Sequence, residues 1–122
     1  KIIEMQIKKT GKLFSFCCTV PVIINKKTKL YNKFDKLGSK IGLLFQIADD
    51  LIDFRGDSKK AGKKTGKDRK KGKATLISLL GHRNAIKYCD KVIMNINKNL
   101  KKYGSNSQNI RETLDYILKR DK

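Results

Sequence analysis

The chain has 122 residues and carries 30 Lys and Arg against 11 Asp and Glu, a formal net charge of +19 at pH 7. With 39% hydrophobic residues it holds enough apolar side chains for one small core, which excludes an intrinsically disordered tail. The excess positive charge points to polyanions (nucleic acid, an anionic membrane or phosphorylated small molecules) and does not by itself choose among them.

The first residue is Lys1, inside what reads as a helix already under way, so a longer protein is expected. Leu13 to Ile24 is nearly apolar but contains Pro21 and is too short to span a bilayer, which predicts a buried helix. Phe14 and Phe16, like Tyr103 and Tyr116 later in the chain, fit helix faces as core residues. Cys17, Cys18 and Cys89 are odd in number and lack metal-ligand spacing, and a bond between the adjacent pair would be strained. A reducing, cytoplasmic compartment follows, with Cys17 and Cys18 as small core residues.

From Thr28 to Phe54 apolar residues recur in steps of three and four, predicting one long amphipathic helix interrupted in composition, not in phase, by Gly38. Arg55 to Lys73 loses the pattern and repeats Gly among Lys, Asp and Thr, which predicts a long basic loop. Ala74 to Leu80 reads as a short helix closed by Gly81. A second helix carries Ile86, Cys89, Val92, Ile93, Ile96 and Leu100 on one face and ends at Gly104. Ser105 to Gln108 is a turn, and a last helix carries Ile110, Leu114, Ile117 and Leu118. No alternating run competes as a strand, so the chain is predicted to be all-α. His82, which follows Gly81 at a helix start, reads as a surface or capping residue.

Asp49 and Asp53 lie four apart on the long helix, with Gln46 one turn earlier and Asp50 beside them. Three carboxylates gathered near a helix end repel one another and oppose the macrodipole, so a cation is expected there. Hard oxygen ligands suit Mg²⁺, which is commonly shared between one or two carboxylates and a substrate phosphate. The lysines of the following loop, among them Lys63 and Lys73, lie on a glycine-rich backbone and supply the anion-binding half of such a site. Taken alone, the acidic cluster is equally readable as a solvated helix face balanced by neighbouring lysines.

Four ordered blocks raise the signal above that reading. They are K-K-T-G-K-L-F at Lys8 to Phe14, G-L-L-F-Q-I-A-D-D-L-I-D-F-R-G-D at Gly42 to Asp57, G-K-K-T-G-K-D at Gly62 to Asp68, and G-K-A-T at Gly72 to Thr75. Their order and spacing resemble the C-terminal part of the trans-prenyl diphosphate synthases, centred on the second aspartate-rich motif. The resemblance spans essentially the whole chain, residues 1–122. It departs from the family in the turn before the lysine-threonine pair, where Gln6, Ile7 and Lys8 stand in place of a frequent His.

The resemblance implies the C-terminal portion of an all-α isoprenoid-synthase-type bundle. It implies that Asp49, Asp50 and Asp53 bind Mg²⁺, and that Lys9, Thr10, Lys63 and Lys73 hold the diphosphate of an allylic substrate, with Gln46 close by. Lys9, Thr10, Gln46 and Lys63 are the residues it places in catalysis. The implied reaction is condensation of isopentenyl diphosphate with an allylic diphosphate to a short-chain product, by an enzyme acting as a homodimer without nucleic acid or a transmembrane segment. The first aspartate-rich motif is absent from this chain, so the piece is expected to be inactive alone. Two alternatives rank behind: a basic nucleic-acid-binding helical module, which leaves the aspartates unexplained, and a non-catalytic subunit of a two-component synthase.

Overall fold

The computed structural model describes residues 2–61 and 76–119, and among these every element is helical. α1 (Ile2–Gln6) runs through a π-helical turn (Ile7–Gly11) into α2 (Lys12–Ile24). A single 3₁₀ turn (Thr28–Leu30) leads into α3 (Tyr31–Ala61), followed by α4 (Leu76–Leu80) and α5 (His82–Leu100). A 3₁₀ stretch (Lys101–Ser107) then connects to α6 (Gln108–Lys119). The all-α expectation holds.

α2 and α3 form an antiparallel hairpin whose turn has a defined chemistry. Lys26 adopts a left-handed conformation (φ 53°). Its N–H donates to the Ile23 carbonyl (3.0 Å), and the Lys27 N–H donates to the Val22 carbonyl (2.9 Å). This double closure satisfies two carbonyls that the end of α2 would leave orphaned.

Two glycines on α3 set how closely the hairpin packs. A Cβ on Gly38 would lie 2.4–2.6 Å from the backbone of Phe14 and Ser15, and one on Gly42 would lie 2.6 Å from the Cα of Gly11. The in-phase glycine at 38 is thereby explained: the backbone of α2 passes where a side chain would stand. Ser15 donates across the same contact to Asp35, and Phe14 packs on Phe45 with ring centroids 5.6 Å apart.

The core forms where α3 meets α4, α5 and α6. Leu44 and Ile47 of α3 are fully buried against Leu76, Ala85, Ile96 and Leu114. The α5 face foreseen from its periodicity supplies Cys89, Ile96 and Leu100 to this core. Gly81 (φ 77°) and Gly104 (φ 53°) occupy backbone conformations open to glycine, as expected of residues that end helices. At the second break the buried Ser107 hydroxyl donates to the carbonyl of Gly104 (2.8 Å) and approaches that of Leu100 (3.3 Å).

Three expectations are corrected. α3 continues from Phe54 to Ala61, into the segment read as loop. Its apolar pattern stops at Phe54, yet Arg55, Lys59, Lys60 and Ala61 are good helix formers and outnumber the weaker Gly56, Asp57 and Ser58. The remainder of that basic segment lies outside the described residues. α2 is buried on one side only: Ser15, Thr19 and Val22 face α3, whereas Leu13, Phe16, Ile23 and Ile24 are exposed. Cys17 is exposed with them, and Tyr116 on α6 is 70% exposed, so neither belongs to the core.

Candidate functional site

Two of the sequence blocks meet at the contact between the π turn and α3. A π turn inserts one extra residue per turn, and here it carries Lys9, Thr10 and Gly11. Buried Gly11 lies against Gly42, one helical turn before Gln46, and this backbone approach sets Thr10 beside the Gln46 side chain. The Thr10 hydroxyl donates to Gln46 Oε1 at 3.0 Å, across 36 residues of sequence. Gln46 Nε2 in turn donates to Asp50 Oδ1 at 3.2 Å.

This relay gives the amide one orientation. Its carbonyl faces a donor and its NH₂ faces a carboxylate, so rotating it by half a turn would set carbonyl against carboxylate. Thr10, Gln46 and Asp50 are all half-buried, where a satisfied polar chain holds its geometry better than at the surface. Asp49 is half-buried too, while Asp53 and Lys9 are exposed.

The carboxylates do not close into a metal cage of their own. Among the described residues no group of three or more His, Cys, Asp or Glu side chains is gathered tightly enough to hold a metal ion. Asp49 and Asp53 share one helical stripe by their four-residue spacing, and Asp50 stands on the neighbouring stripe bonded to Gln46. Such a set fits a cation that completes its shell with water and phosphate oxygens, the habit of Mg²⁺ rather than Zn²⁺. Lys63 and Lys73, expected to hold phosphate, lie outside the described residues.

Two features escaped the sequence reading. The π turn that presents Lys9 and Thr10 has no composition signal of its own, though Gly11 and Gly42 mark where the backbones touch. His82, read as a surface or capping residue, is half-buried and stacks on Phe54 (centroids 5.4 Å apart, 30° between planes). The stack ties the start of α5 to the residue following Asp53, steadying the end of the acidic stretch.

Residues 1–117 match the model of the polyprenyl synthetase family. The chain is 29% identical to farnesyl diphosphate synthase of Micrococcus luteus over 98% of its own length and 41% of the relative's. It is 36% identical to farnesyl diphosphate synthase of Escherichia coli K12 over 72% of its length and 30% of the relative's. It is 30% identical to geranylgeranyl diphosphate synthase of Cyanophora paradoxa over 96% of its length and 39% of the relative's. The chain thus spans about two fifths or less of the relatives it matches. Among the described residues no helix is long and apolar enough to cross a membrane.

Proposed function

The chain belongs to the polyprenyl synthetase family, and on that premise we propose that it is the C-terminal part of an enzyme condensing isopentenyl diphosphate with an allylic diphosphate. The observation that carries this reading is the Thr10–Gln46–Asp50 relay. It joins the lysine-threonine block to the aspartate-rich block, making one site of two motifs far apart in sequence.

In the reaction the allylic C–O bond breaks, its electron pair leaving with the diphosphate. The double bond of isopentenyl diphosphate forms the new C–C bond to the resulting cation, and loss of a proton restores an alkene. Mg²⁺, when bound, supplies positive charge against the departing diphosphate. Asp49 and Asp53 would hold that ion, with Asp50 kept in place by Gln46. Lys9, exposed and next to Thr10 in the chain, would meet diphosphate oxygens, and Lys63 and Lys73 are assigned the same task. No side chain acts as a nucleophile. The protein works by fixed charges placed where charge develops, which cost no reorganisation during the reaction.

The complete enzyme is proposed to be at least twice as long as this chain, to act as a homodimer and to reside in the cytoplasm. All three cysteines are free thiols, which suits a reducing compartment. Reading the gene upstream of Lys1 tests the first point: a second aspartate-rich helix followed by arginines is expected. Light scattering tests the dimer.

The catalytic test uses the full-length gene product with isopentenyl diphosphate and a short allylic primer. Turnover is expected with Mg²⁺ and none in excess EDTA. Asp49→Ala is expected to lower kcat by roughly a thousandfold, the scale on which lost electrostatic stabilisation acts. Turnover unaffected by Asp49→Ala would remove the metal assignment.

A further inference from the structure

A second site opens on the other half of α3, where the helix meets α5 and the 3₁₀ stretch. It is a cavity of about 210 Å³. Leu37, Ile96 and Leu100 form an apolar floor, and Lys33, Lys36 and Lys40 stand at successive turns of α3 along one side. Among the described residues no acidic side chain lines it. Its lysines lie from about 14 Å (Lys40) to about 24 Å (Lys33) along α3 from Asp49, at 1.5 Å per residue, and neither Gln46 nor any of the three aspartates lines it.

Two further observations at Tyr103 bear on what this cavity could take. Lys33 and Lys102 both hold their ammonium groups over the Tyr103 ring, at 5.0 and 5.1 Å from its centre. The Tyr103 hydroxyl is buried and has no hydrogen-bond partner among the described residues. A buried hydroxyl without a partner is costly, and a cationic rim over an apolar floor is complementary to an amphiphile with an anionic head.

We propose that this cleft binds a small phosphate monoester with a short apolar chain. The head sits among Lys33, Lys36 and Lys40 and accepts from the Tyr103 hydroxyl, while the chain covers Leu37, Ile96 and Leu100. A dianionic head suits three ammonium groups better than a carboxylate does. Free phosphate would meet the same lysines but leave the floor wet, so chain length is the discriminating variable.

The test is calorimetric titration of the full-length gene product in EDTA, which withholds the cation from the aspartate-rich site. Hexyl phosphate, ethyl phosphate, inorganic phosphate and hexanoate are the probes. Since each buried methylene strengthens binding by up to about fourfold, hexyl phosphate is expected to bind at least tenfold tighter than ethyl phosphate. It is also expected to bind tighter than hexanoate. The double variant Lys33→Ser/Lys36→Ser is expected to lose at least tenfold in hexyl phosphate affinity. Lys87→Ser/Lys91→Ser, on exposed positions of α5, is expected to lose less than twofold. Asn99→Phe, at an exposed position on the cleft, is expected to block the chain while circular dichroism shows the fold retained. Equal affinity for hexyl and ethyl phosphate, or equal loss in the two lysine pairs, would overturn the proposal and leave only diffuse attraction to a chain of high positive charge.

Discussion

The side chain of Gln46 makes its contribution through direction. Its carbonyl accepts from Thr10 and its NH₂ donates to Asp50, so the carboxylate is oriented by a residue that need not touch substrate. Thr10→Val keeps the shape and removes the donor, leaving the Gln46 carbonyl unsatisfied in a half-buried place. A neutral hydrogen bond of about 1 kcal/mol net translates to a five- to tenfold loss in kcat, with unfolding shifted by a similar energy. Steady-state kinetics on the full-length enzyme reads this, and an unchanged kcat would show that Thr10 holds Gln46 without consequence for catalysis. The Gln46–Asp50 contact was legible in the sequence because a four-residue spacing on a helix brings two side chains together, whereas the expected gathering of all three carboxylates is not seen among the described residues. Thr10's bond to Gln46 was not legible, because it depends on a turn of non-standard pitch. The cysteines divide similarly. Burial, reinforced by Asp90, pushes the Cys89 thiol up to about 11, and burial with help from Cys17 raises Cys18. The thiolate is the reactive form, so a raised pKa suppresses alkylation at pH 8. Iodoacetamide with mass mapping is expected to label exposed Cys17 first and Cys89 last. Cys89 labelling should rise about tenfold per pH unit between pH 7 and 9 while the fold persists. Equal labelling of Cys17 and Cys89 at pH 8 would contradict the burial assigned to α5.

At the scale of elements, the deciding feature is the pair of glycines on α3. In isolation Gly42→Ala would stabilise a helix by about 1 kcal/mol. Here the new Cβ would stand 2.6 Å from the Gly11 Cα, which is backbone and cannot swing aside. Overpacking of this kind costs about 1–3 kcal/mol, so the clash is expected to win. It would also push the π turn off α3 and stretch the Thr10–Gln46 bond. A lowered urea midpoint together with a lowered kcat is expected, and a gain in stability near the intrinsic propensity value would show that the two backbones are not in contact. Sequence periodicity located α3 and α5 because each has a long buried stripe, with Leu44 and Ile47 on one and Cys89 and Ile96 on the other. It misplaced the end of α3, since the apolar residues stop at Phe54 and the helix does not. Only propensity marks the continuation to Ala61 in the sequence, and propensity is the weaker signal.

For the whole molecule, α2 raises the question of what surrounds it. The side turned to α3 bears the small residues Ser15 and Thr19, and the large apolar residues Leu13, Phe16, Ile23 and Ile24 face outward, from 55% to 72% exposed. A helix whose large apolar residues face away from its own partner helix suits an element covered by further protein. The sequence reading of a buried helix holds for one side of α2 only, that of Ser15, Thr19 and Val22. If the chain is part of a longer enzyme, as proposed, Phe16 is covered there by segments beyond this piece. Phe16→Glu is then expected to destabilise the full-length protein by more than about 2 kcal/mol, within the range seen when buried aromatic residues are lost. Met94→Glu, at a position on α5 that is 71% exposed, is expected to stay within about 0.5 kcal/mol of the unmutated protein. Chemical denaturation of both variants separates the cases. If the two substitutions cost the same small amount, the outward face of α2 stays in water in the intact protein, and the apolar residues there need an explanation other than the rest of a helical bundle.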